Sequence, residues 1–401
     1  MSLVNALCME TLFLGLGAHP RCLVMDLVDG EDIPLSDRAE AGVPVLPRPQ
    51  RVSQPFFMYD MIRGIPTSFK KVVEKMRAYP EISPKEHIYF TGSGTSFYAA
   101  WMGSQILNGL YGYHLIESNE LVWYTPIVNG SITIGVSHSG ITKSTVDALA
   151  KAKGRGSFTV GVTHHADQPI SSFSDVTLIV GDGPDLSRCH TKTYTDSAAA
   201  VLILALGLLR GRGHVDKELE SEFSGHLAGK MVEALQESEA EAIRAAGDLT
   251  TVKRVFILGS GFNVVTAREA ALKIKESSYI SAEGISLEEF LHGPWVTLDS
   301  DSLVVSVASR DASIDRHTVA LRAAKRLGAK TMAISDEHLD VDYLFHIPRT
   351  SIILSPFLTI IPLYFFAYYL SVRKGNNPDY LRYLEPAYWE ARNIIFPPGT
   401  H

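Results

Sequence analysis

The chain has 401 residues, of which 46% are hydrophobic, so it can bury a large core divided between two or three domains. Its net charge is −7 and no long run of Lys or Arg interrupts the mildly acidic background, which argues against a nucleic-acid partner. The three cysteines, Cys8, Cys22 and Cys189, form neither a CxxC pair nor an even set, so we expect reduced thiols in a cytoplasmic protein without structural zinc.

The beginning of the chain, residues 1–65, is expected to be an N-terminal extension. It contains an apolar patch but neither a positively charged start nor a small-residue cleavage site, so secretion is not indicated. We expect a first folded domain at residues 66–225, a second at residues 226–375 and a C-terminal tail at residues 376–401.

An internal repeat predicts the architecture of both domains. HIYFTGSGTSFYAA, which begins at His87, resembles RVFILGSGFNVVTA, which begins at Arg254. SITIGVSHSG, from Ser131, has its counterpart in SLVVSVASRD, from Ser302, and a helix, a glycine turn and a strand follow in each half. Strands that alternate with helices of this length predict a parallel sheet with helices on both faces, a flavodoxin-like three-layer α/β sandwich, in each half.

Three further segments are expected to be helical. The Glu-, Ala- and Leu-rich segment from Asp216 to Leu249 predicts a helical connection between the two halves. The apolar runs Ala198 to Leu209 and Ile352 to Leu370 are expected to be helices buried in the core. The second run is long enough to cross a membrane, but it contains two prolines and several tyrosines, so we predict no membrane span.

Two hydroxyl-rich loops in the first half predict a phosphate site. TGSGTS, from Thr91, and SHSGIT, from Ser137, each follow a predicted strand and precede a predicted helix. Ligands of open α/β sheets bind at this edge, where backbone N–H groups, hydroxyls and a helix dipole can converge on a dianion without a cation. The second half has GSGFN and ASRDA at the corresponding positions, so we expect one phosphate site per chain.

A predicted helix in the second half carries acid–base groups. Glu269, Lys273 and Glu276 follow at i, i+4 and i+7, which places them on one helix face among apolar neighbours. A carboxylate held there could have a raised pKa and transfer protons, although the spacing also fits a surface salt-bridge ladder. The whole stretch from Lys275 to Trp295 is expected to form a short helix, a turn and a loop, with His292 held just before Gly293 and Pro294.

These motifs resemble the double sugar-isomerase-domain (SIS) proteins, and most closely the isomerase half of glutamine:fructose-6-phosphate aminotransferase. The resemblance extends from about Ser53 to Lys374 and includes GSGTS, SHSGIT, TKTYT at Thr191 and the block EAALKIKESSYISAEG followed by EEFLHGP. It implies an enzyme without metal or other cofactor that acts on a sugar phosphate. It also implies that the sugar phosphate is held by Ser93, Thr95, Ser96, Ser137, His138, Ser139 and Thr142.

The same resemblance implies how the catalytic groups divide their work. Glu276 would move the proton between C1 and C2 of the sugar, in a site that also contains Lys273 and Glu269. His292 would assist ring opening from the neighbouring subunit of a homodimer. The expected reaction is isomerisation or deamination of glucosamine 6-phosphate or fructose 6-phosphate through an enediol or enolamine.

Three departures from the family pattern leave the substrate open. No N-terminal cysteine nucleophile of a glutaminase is found, so we expect that glutamine is not the ammonia source. Ile141 stands where the aminotransferase has an acidic residue. The tail of the aminotransferase has a lysine that reaches the sugar, whereas no lysine follows Lys374 here. The tail instead resembles the branch of deaminases and fructosamine-6-phosphate deglycases. A deglycase and a non-catalytic sugar-phosphate sensor therefore remain alternatives.

Overall fold

A computed structural model describes residues 51–79, 81–383 and 385–397. Cys8, Cys22 and most of the predicted N-terminal extension lie outside the described residues. Residues 51–381 belong to one compact unit that contains both predicted domains, and the described residues from 382 onward belong to a second unit. Cys189 is a buried free cysteine in the first unit.

The first sheet has five parallel strands in the order β2-β1-β3-β4-β5. Strands β1, β3 and β4 are largely buried because helices pack around the sheet, which explains their Val, Ile and Phe residues. This order is the flavodoxin-like one, in which ligands bind where the strand order reverses, here between β1 and β3. The strands are β1 His87–Thr91, β2 Gly112–Leu115, β3 Ile132–Val136, β4 Phe158–Thr163 and β5 Val176–Ile179.

The second sheet repeats the same topology, in the order β7-β6-β8-β9-β10, again with parallel pairing throughout. The repeat found in the sequence therefore corresponds to a structural repeat, and the predicted pair of α/β domains is confirmed. The strands are β6 Arg254–Gly259, β7 Ser281–Ser286, β8 Ser302–Val307, β9 Lys330–Ser335 and β10 Tyr343–His346.

The α-helices of the described residues surround and connect the two sheets. They are α1 Phe57–Met76, α2 Thr95–Ser104, α3 Ser118–Trp123, α4 Lys143–Gly154, α5 Pro169–Ser172, α6 Lys192–Gly211, α7 Lys217–Ser221, α8 Leu227–Asp248, α9 Asn263–Ser278, α10 Leu287–Leu291, α11 Ile314–Arg326, α12 Ser355–Arg373 and α13 Pro386–Ile395. Helix α8 is the predicted helical connection. Helix α13 lies in the second unit, where the ring of Trp389 packs against that of Tyr383.

The two most apolar helices lie in the core, as predicted. Helices α6 and α12 are long and apolar enough to cross a membrane, but 78% and 89% of their apolar windows are buried inside the protein. Helix α12 packs against α8 and α9, and α6 packs against α1 and α2, so one apolar core extends from the first sheet to the second. Their all-round hydrophobicity is therefore explained by burial between other elements.

One prediction about local structure is wrong. The stretch from Lys275 to Trp295 contains strand β7 where a turn and loop were expected, because SAEGIS pairs in parallel with β6 along its whole length. Gly284 makes this possible, since a Cβ atom there would lie 2.3 Å from the carbonyl oxygen of Ala267 in α9. The strand therefore holds α9 close to the second sheet.

Candidate active site

The hydroxyl-rich loops lie together at the carboxyl ends of β1 and β3. The Oγ atom of Ser96 accepts a hydrogen bond from the backbone N–H of His138 at 3.3 Å, which joins the two loops. Ser93 contributes a second link, 3.1 Å from the hydroxyl of Ser144 at the start of α4. The sequence-predicted phosphate residues therefore lie in one region, and they are Ser93, Thr95, Ser96, Ser137, His138, Ser139 and Thr142.

The loop after β3 is held by its own hydroxyls. Ser137 donates to Oγ1 of Thr142 at 3.1 Å and accepts from the backbone N–H of Gly140 at 3.1 Å. Gly140 has φ +71°, and a Cβ atom there would lie 2.6 Å from the Cβ of Gln168, so this position requires glycine. Ser137 is buried, whereas Ser139 is partly exposed and makes only a 3.4 Å contact with the N–H of Ile141. Ser139 is thus the hydroxyl that is freer to bind a ligand.

The corresponding loops of the second half are filled by their own side chains. Asn263 is buried and donates to the hydroxyls of Ser309 and Ser355 at 3.2 and 2.9 Å. Ser260 lies 3.0 Å from Nε2 of the buried His317. These polar groups already have protein partners, which supports the prediction of one phosphate site per chain.

Helix α9 of the second half reaches the loop of the first half. The Nζ atom of Lys273 lies 3.0 Å from Oγ1 of Thr95, 2.6 Å from Oε2 of Glu276 and 3.6 Å from Oε1 of Glu269. The side chains of Lys273 and Glu269 are completely buried, while that of Glu276 is 25% exposed. The three residues therefore do not form a surface salt-bridge ladder. Of the three side chains, only that of Glu276 is open to solvent.

Burial determines the protonation of these groups. Burial raises the pKa of Glu269 to about 8, although Lys273 acts in the opposite direction. Burial disfavours the charged form of Lys273, but the carboxyl groups of Glu269 and Glu276 outweigh it and raise the pKa of the ammonium group. Glu269 also accepts from the hydroxyl of Tyr364 at 3.2 Å. Near neutral pH the arrangement is thus a Lys273–Glu276 ion pair beside a largely protonated Glu269.

His292 does not join this cluster within one chain. It follows the last residue of α10, its side chain is 77% exposed, and its Nε2 atom lies 3.6 Å from Oε2 of Glu288. The neighbouring Trp295 and Val296 are also exposed, by 41% and 68%. The structure therefore places His292 on an exposed surface, away from the acid–base groups of α9.

A cavity beside the loops includes residues that the sequence analysis did not assign. It has about 220 Å³ of empty volume, part of which is open solvent, and it is lined by Thr95, which also contacts Lys273. Three of its lining residues belong to the predicted set, namely Thr95, Ser96 and His138. The unassigned ones are Ala99, His190, Thr193, Tyr194 and Ser197. The available signal was the TKTYT motif, because His190 immediately precedes it.

Four histidines form a cluster, and two of them, His138 and His190, line this cavity. The ring of His138 lies 4.2 Å from that of His190, 5.1 Å from His164 and 5.5 Å from His165, measured between centroids. Burial and the neighbouring imidazoles hold the pKa of His138 well below its usual range, and burial lowers that of His164 to about 3. Among the described residues, no group of three or more His, Cys, Asp or Glu side chains is arranged to hold a metal ion.

Comparison with known proteins identifies the family. A family model described as the SIS domain matches residues 81–207 and 248–373, which together make up more than half of the chain. The chain belongs to the SIS domain family. The predicted resemblance to a double SIS protein is therefore confirmed.

One aminotransferase is similar to this chain in sequence, and a domain of another is similar to it in structure. Over 350 residues the chain is 30% identical to glutamine–fructose-6-phosphate aminotransferase [isomerizing] of Thermococcus kodakarensis, in an alignment that covers 85% of this chain and 57% of that protein. The C-terminal domain of glucosamine-fructose-6-phosphate aminotransferase from Francisella tularensis has the same fold, with a TM-score of 0.75 and 21% identity over 82% of this chain and 98% of that domain.

A second solved structure shares the fold. Glucosamine-6-phosphate deaminase from Thermotoga maritima has a TM-score of 0.69 and 20% identity, over 80% of this chain and 96% of that one. The chain thus contains a pair of SIS domains with the fold of these two structures, and it spans about half the length of the curated aminotransferases that it matches.

Proposed function

We propose that the chain is a phosphosugar isomerase-type enzyme that isomerises or deaminates aminosugar or hexose 6-phosphates, with glucosamine 6-phosphate or fructose 6-phosphate as its substrate. The contact between Lys273 and Thr95 carries this proposal, because it joins the acid–base helix α9 to the hydroxyl-rich loop at the start of α2. A sugar whose phosphate is bound at this loop would have its C1 and C2 atoms within reach of α9. The activities for which the similar aminotransferase and deaminase are named support the same substrate class.

The phosphate group would be bound by neutral donors. Ser93, Ser96 and Ser139 offer hydroxyls at the carboxyl ends of β1 and β3, and the N-termini of α2 and α4 add their backbone dipoles. The nearby Lys192 forms an ion pair with Asp182, in which the Nζ atom of the lysine lies 2.6 Å from Oδ1 of the aspartate. No cation is needed for this mode of binding.

Glu276 would act as the base that transfers the proton between C1 and C2. It is the partly exposed member of the α9 cluster, and Lys273 fixes its carboxylate by a short hydrogen bond. The C2 proton would pass to this carboxylate and return to C1 through an enediol, or an enolamine for an aminosugar. Lys273 and Glu269 would hold the base and set the local charge.

His292 would open the sugar ring in the active site of a partner subunit. The exposed His292, Trp295 and Val296 form a surface that a second copy of the chain could cover in a cytoplasmic homodimer. This arrangement would explain why a catalytic histidine lies outside the site of its own chain.

We do not favour the two alternative functions, a fructosamine-6-phosphate deglycase and a sugar-phosphate sensor. The buried Glu269 and Lys273 argue against a sensor, because burying ionisable groups costs free energy that simple binding of a sugar phosphate does not require. Their presence beside the phosphate loop is better explained by catalysis.

A substrate panel tests the proposal. The protein is incubated separately with glucosamine 6-phosphate, fructose 6-phosphate with ammonia, glucose 6-phosphate and a fructosamine 6-phosphate. Ammonia and the hexose phosphates are then quantified. We expect turnover of glucosamine 6-phosphate or fructose 6-phosphate. Turnover of the fructosamine alone would establish the deglycase, and tight binding without any turnover would establish the sensor.

A further inference from the structure

We propose that His190 transfers the proton between the heteroatoms on C1 and C2 of the sugar, and that Asp185 positions its imidazole. This inference rests on the proposed function, in which Glu276 moves the proton that is bound to carbon. His190 would move the proton that is bound to oxygen or nitrogen. The supporting observations are the position of His190 in the cavity, the contacts of Asp185 and the packing of the neighbouring histidines.

His190 is placed to reach a ligand in the cavity. It lines the cavity together with Thr95, which Lys273 contacts from the side of α9. Its side chain is 34% exposed, but its Nδ1 atom is buried without a hydrogen-bond partner. The exposed part of the ring is therefore not Nδ1, which leaves Nε2 as the nitrogen that a sugar could contact.

Asp185 lies on the buried side of the ring. Its Oδ2 atom is 3.7 Å from Nδ1 of His190, within ion-pair distance and longer than a hydrogen bond. The carboxylate is completely buried and accepts from the N–H groups of Thr191 and Thr193 and from the hydroxyl of Thr193, at 2.9, 3.2 and 2.7 Å. Burial alone would raise its pKa, but His190 and these donors lower it, so Asp185 is held as an anion.

Among the clustered imidazoles, His190 is the one that lies beside a carboxylate. His138 from the loop after β3 and His164 and His165 from the end of β4 are the other imidazoles of the cluster. Repulsion between imidazolium ions disfavours charging more than one of these rings. His190 is the one within ion-pair distance of Asp185. The ammonium group of Lys192 is paired with Asp182.

The proton transfers balance without another reactant. In the aldose-to-ketose direction, Nε2–H of the His190 imidazolium gives its proton to O1 while Glu276 takes the proton from C2, which forms the enediol. The hydroxyl on C2 then returns a proton to Nε2 as the C2 carbonyl forms and Glu276 protonates C1. With an aminosugar, the nitrogen on C2 supplies this proton, and both residues end in their starting states.

The test compares His190→Gln, Asp185→Asn and the control His346→Gln, a histidine exposed on β10. Loss of an acid–base group lowers turnover by roughly 10²–10⁴-fold, so we expect such a fall in kcat for His190→Gln with KM little changed. Asp185→Asn should also lower kcat with KM little changed, because the carboxylate beside the imidazole has been removed. Asp185→Glu, which keeps a carboxylate, should recover part of this loss.

Each outcome separates this inference from the proposed function. A wild-type enzyme that turns over its substrate while His190→Gln retains kcat within about twofold would overturn the role of His190 only. A kcat of Asp185→Asn within about twofold of the wild type, or no recovery in Asp185→Glu, would overturn the role of Asp185 as the positioning residue. Wild-type protein that turns over no phosphosugar would overturn both proposals. Thermal unfolding and calorimetric binding of fructose 6-phosphate confirm that each variant is folded and still binds a sugar phosphate.

Discussion

Individual hydroxyls should account for the affinity of the site for phosphate. Changing Ser139 to Ala should weaken binding of glucose 6-phosphate by about 1–3 kcal/mol, the usual cost of losing a hydrogen bond to a charged group. Ser137→Ala should have at least as large an effect, because Ser137 also holds the loop through Gly140 and Thr142. Isothermal titration calorimetry measures both changes. Unchanged affinity in both variants would place the phosphate elsewhere.

The protonation of Glu269 should affect stability in a defined pH range. Its pKa is raised from 4.5 to about 8, so between these values the folded protein holds a proton that the unfolded chain releases. The contribution of Glu269 to the free energy of unfolding is therefore largest below pH 4.5 and is lost as the pH rises toward 8.

Glu269→Gln removes this titration and keeps an oxygen that can accept from Tyr364. Relative to the wild type, the variant should become progressively more stable between pH 5 and pH 8. Urea unfolding at both pH values measures the difference. A stability difference that is the same at pH 5 and pH 8 would mean that Glu269 has an ordinary carboxyl pKa.

The site was only partly predictable from single residues. Spacing alone placed Glu269, Lys273 and Glu276 on one helix face, because the helical period is fixed. The contacts of Asp185 and His190 could not be predicted in this way, since they lie in an irregular segment between β5 and α6 where no periodicity constrains the side chains. Which residues line the cavity depends on how that segment folds back toward the loop after β1.

At the level of secondary structure, the distance between α9 and β7 should be critical for the site. In Gly284→Ala the new methyl group would meet the backbone of Ala267 and Arg268 at 2.3–2.4 Å, with no flexible side chain to move aside. Strain of this kind costs typically 1–3 kcal/mol, so we expect the free energy of unfolding to fall by about that amount. Activity should fall as well, because α9 carries the proposed base.

Gly207→Ala is the matched control, since a Cβ atom at this position of α6 would have no neighbour within 4 Å. Replacing a glycine inside a helix by alanine should leave the protein as stable or stabilise it by about 0.5–1 kcal/mol. Urea unfolding compares the two variants. Equal effects at both positions would show that α9 and β7 can move apart easily.

Some elements were easier to predict than others for a physical reason. Strands β1, β3, β6 and β8 are buried and apolar, and the first three are followed by recognisable glycine turns, so the repeat revealed them. Strand β7 is an edge strand with the polar sequence SAEGIS, which has neither the alternation nor the hydrophobicity of a typical strand. Its conformation is determined by pairing with β6, which is information that its own sequence does not carry.

At the scale of the whole molecule, two chains should complete each other's active sites. If His292 acts in the site of the partner, an exchanged mixture of inactive Glu276→Gln and His292→Ala dimers should recover about a quarter of the active sites, as two-fold symmetry and random exchange require. Subunit exchange is verified by mass spectrometry of a tagged variant, and sedimentation measures the oligomeric state. Proven exchange without recovered activity would mean that His292 does not act across a dimer.

Solvent-proton exchange tests the central role of Glu276 most directly. Wild-type protein in D2O with fructose 6-phosphate or glucosamine 6-phosphate should incorporate deuterium at the carbon next to the carbonyl, as measured by proton NMR. Glu276→Gln should slow this exchange by roughly 10²–10⁴-fold, whereas Glu233→Gln, at an exposed position of α8, should exchange at the wild-type rate. Equal exchange by the wild type and Glu276→Gln, or no exchange by the wild type, would contradict a proton transfer by Glu276.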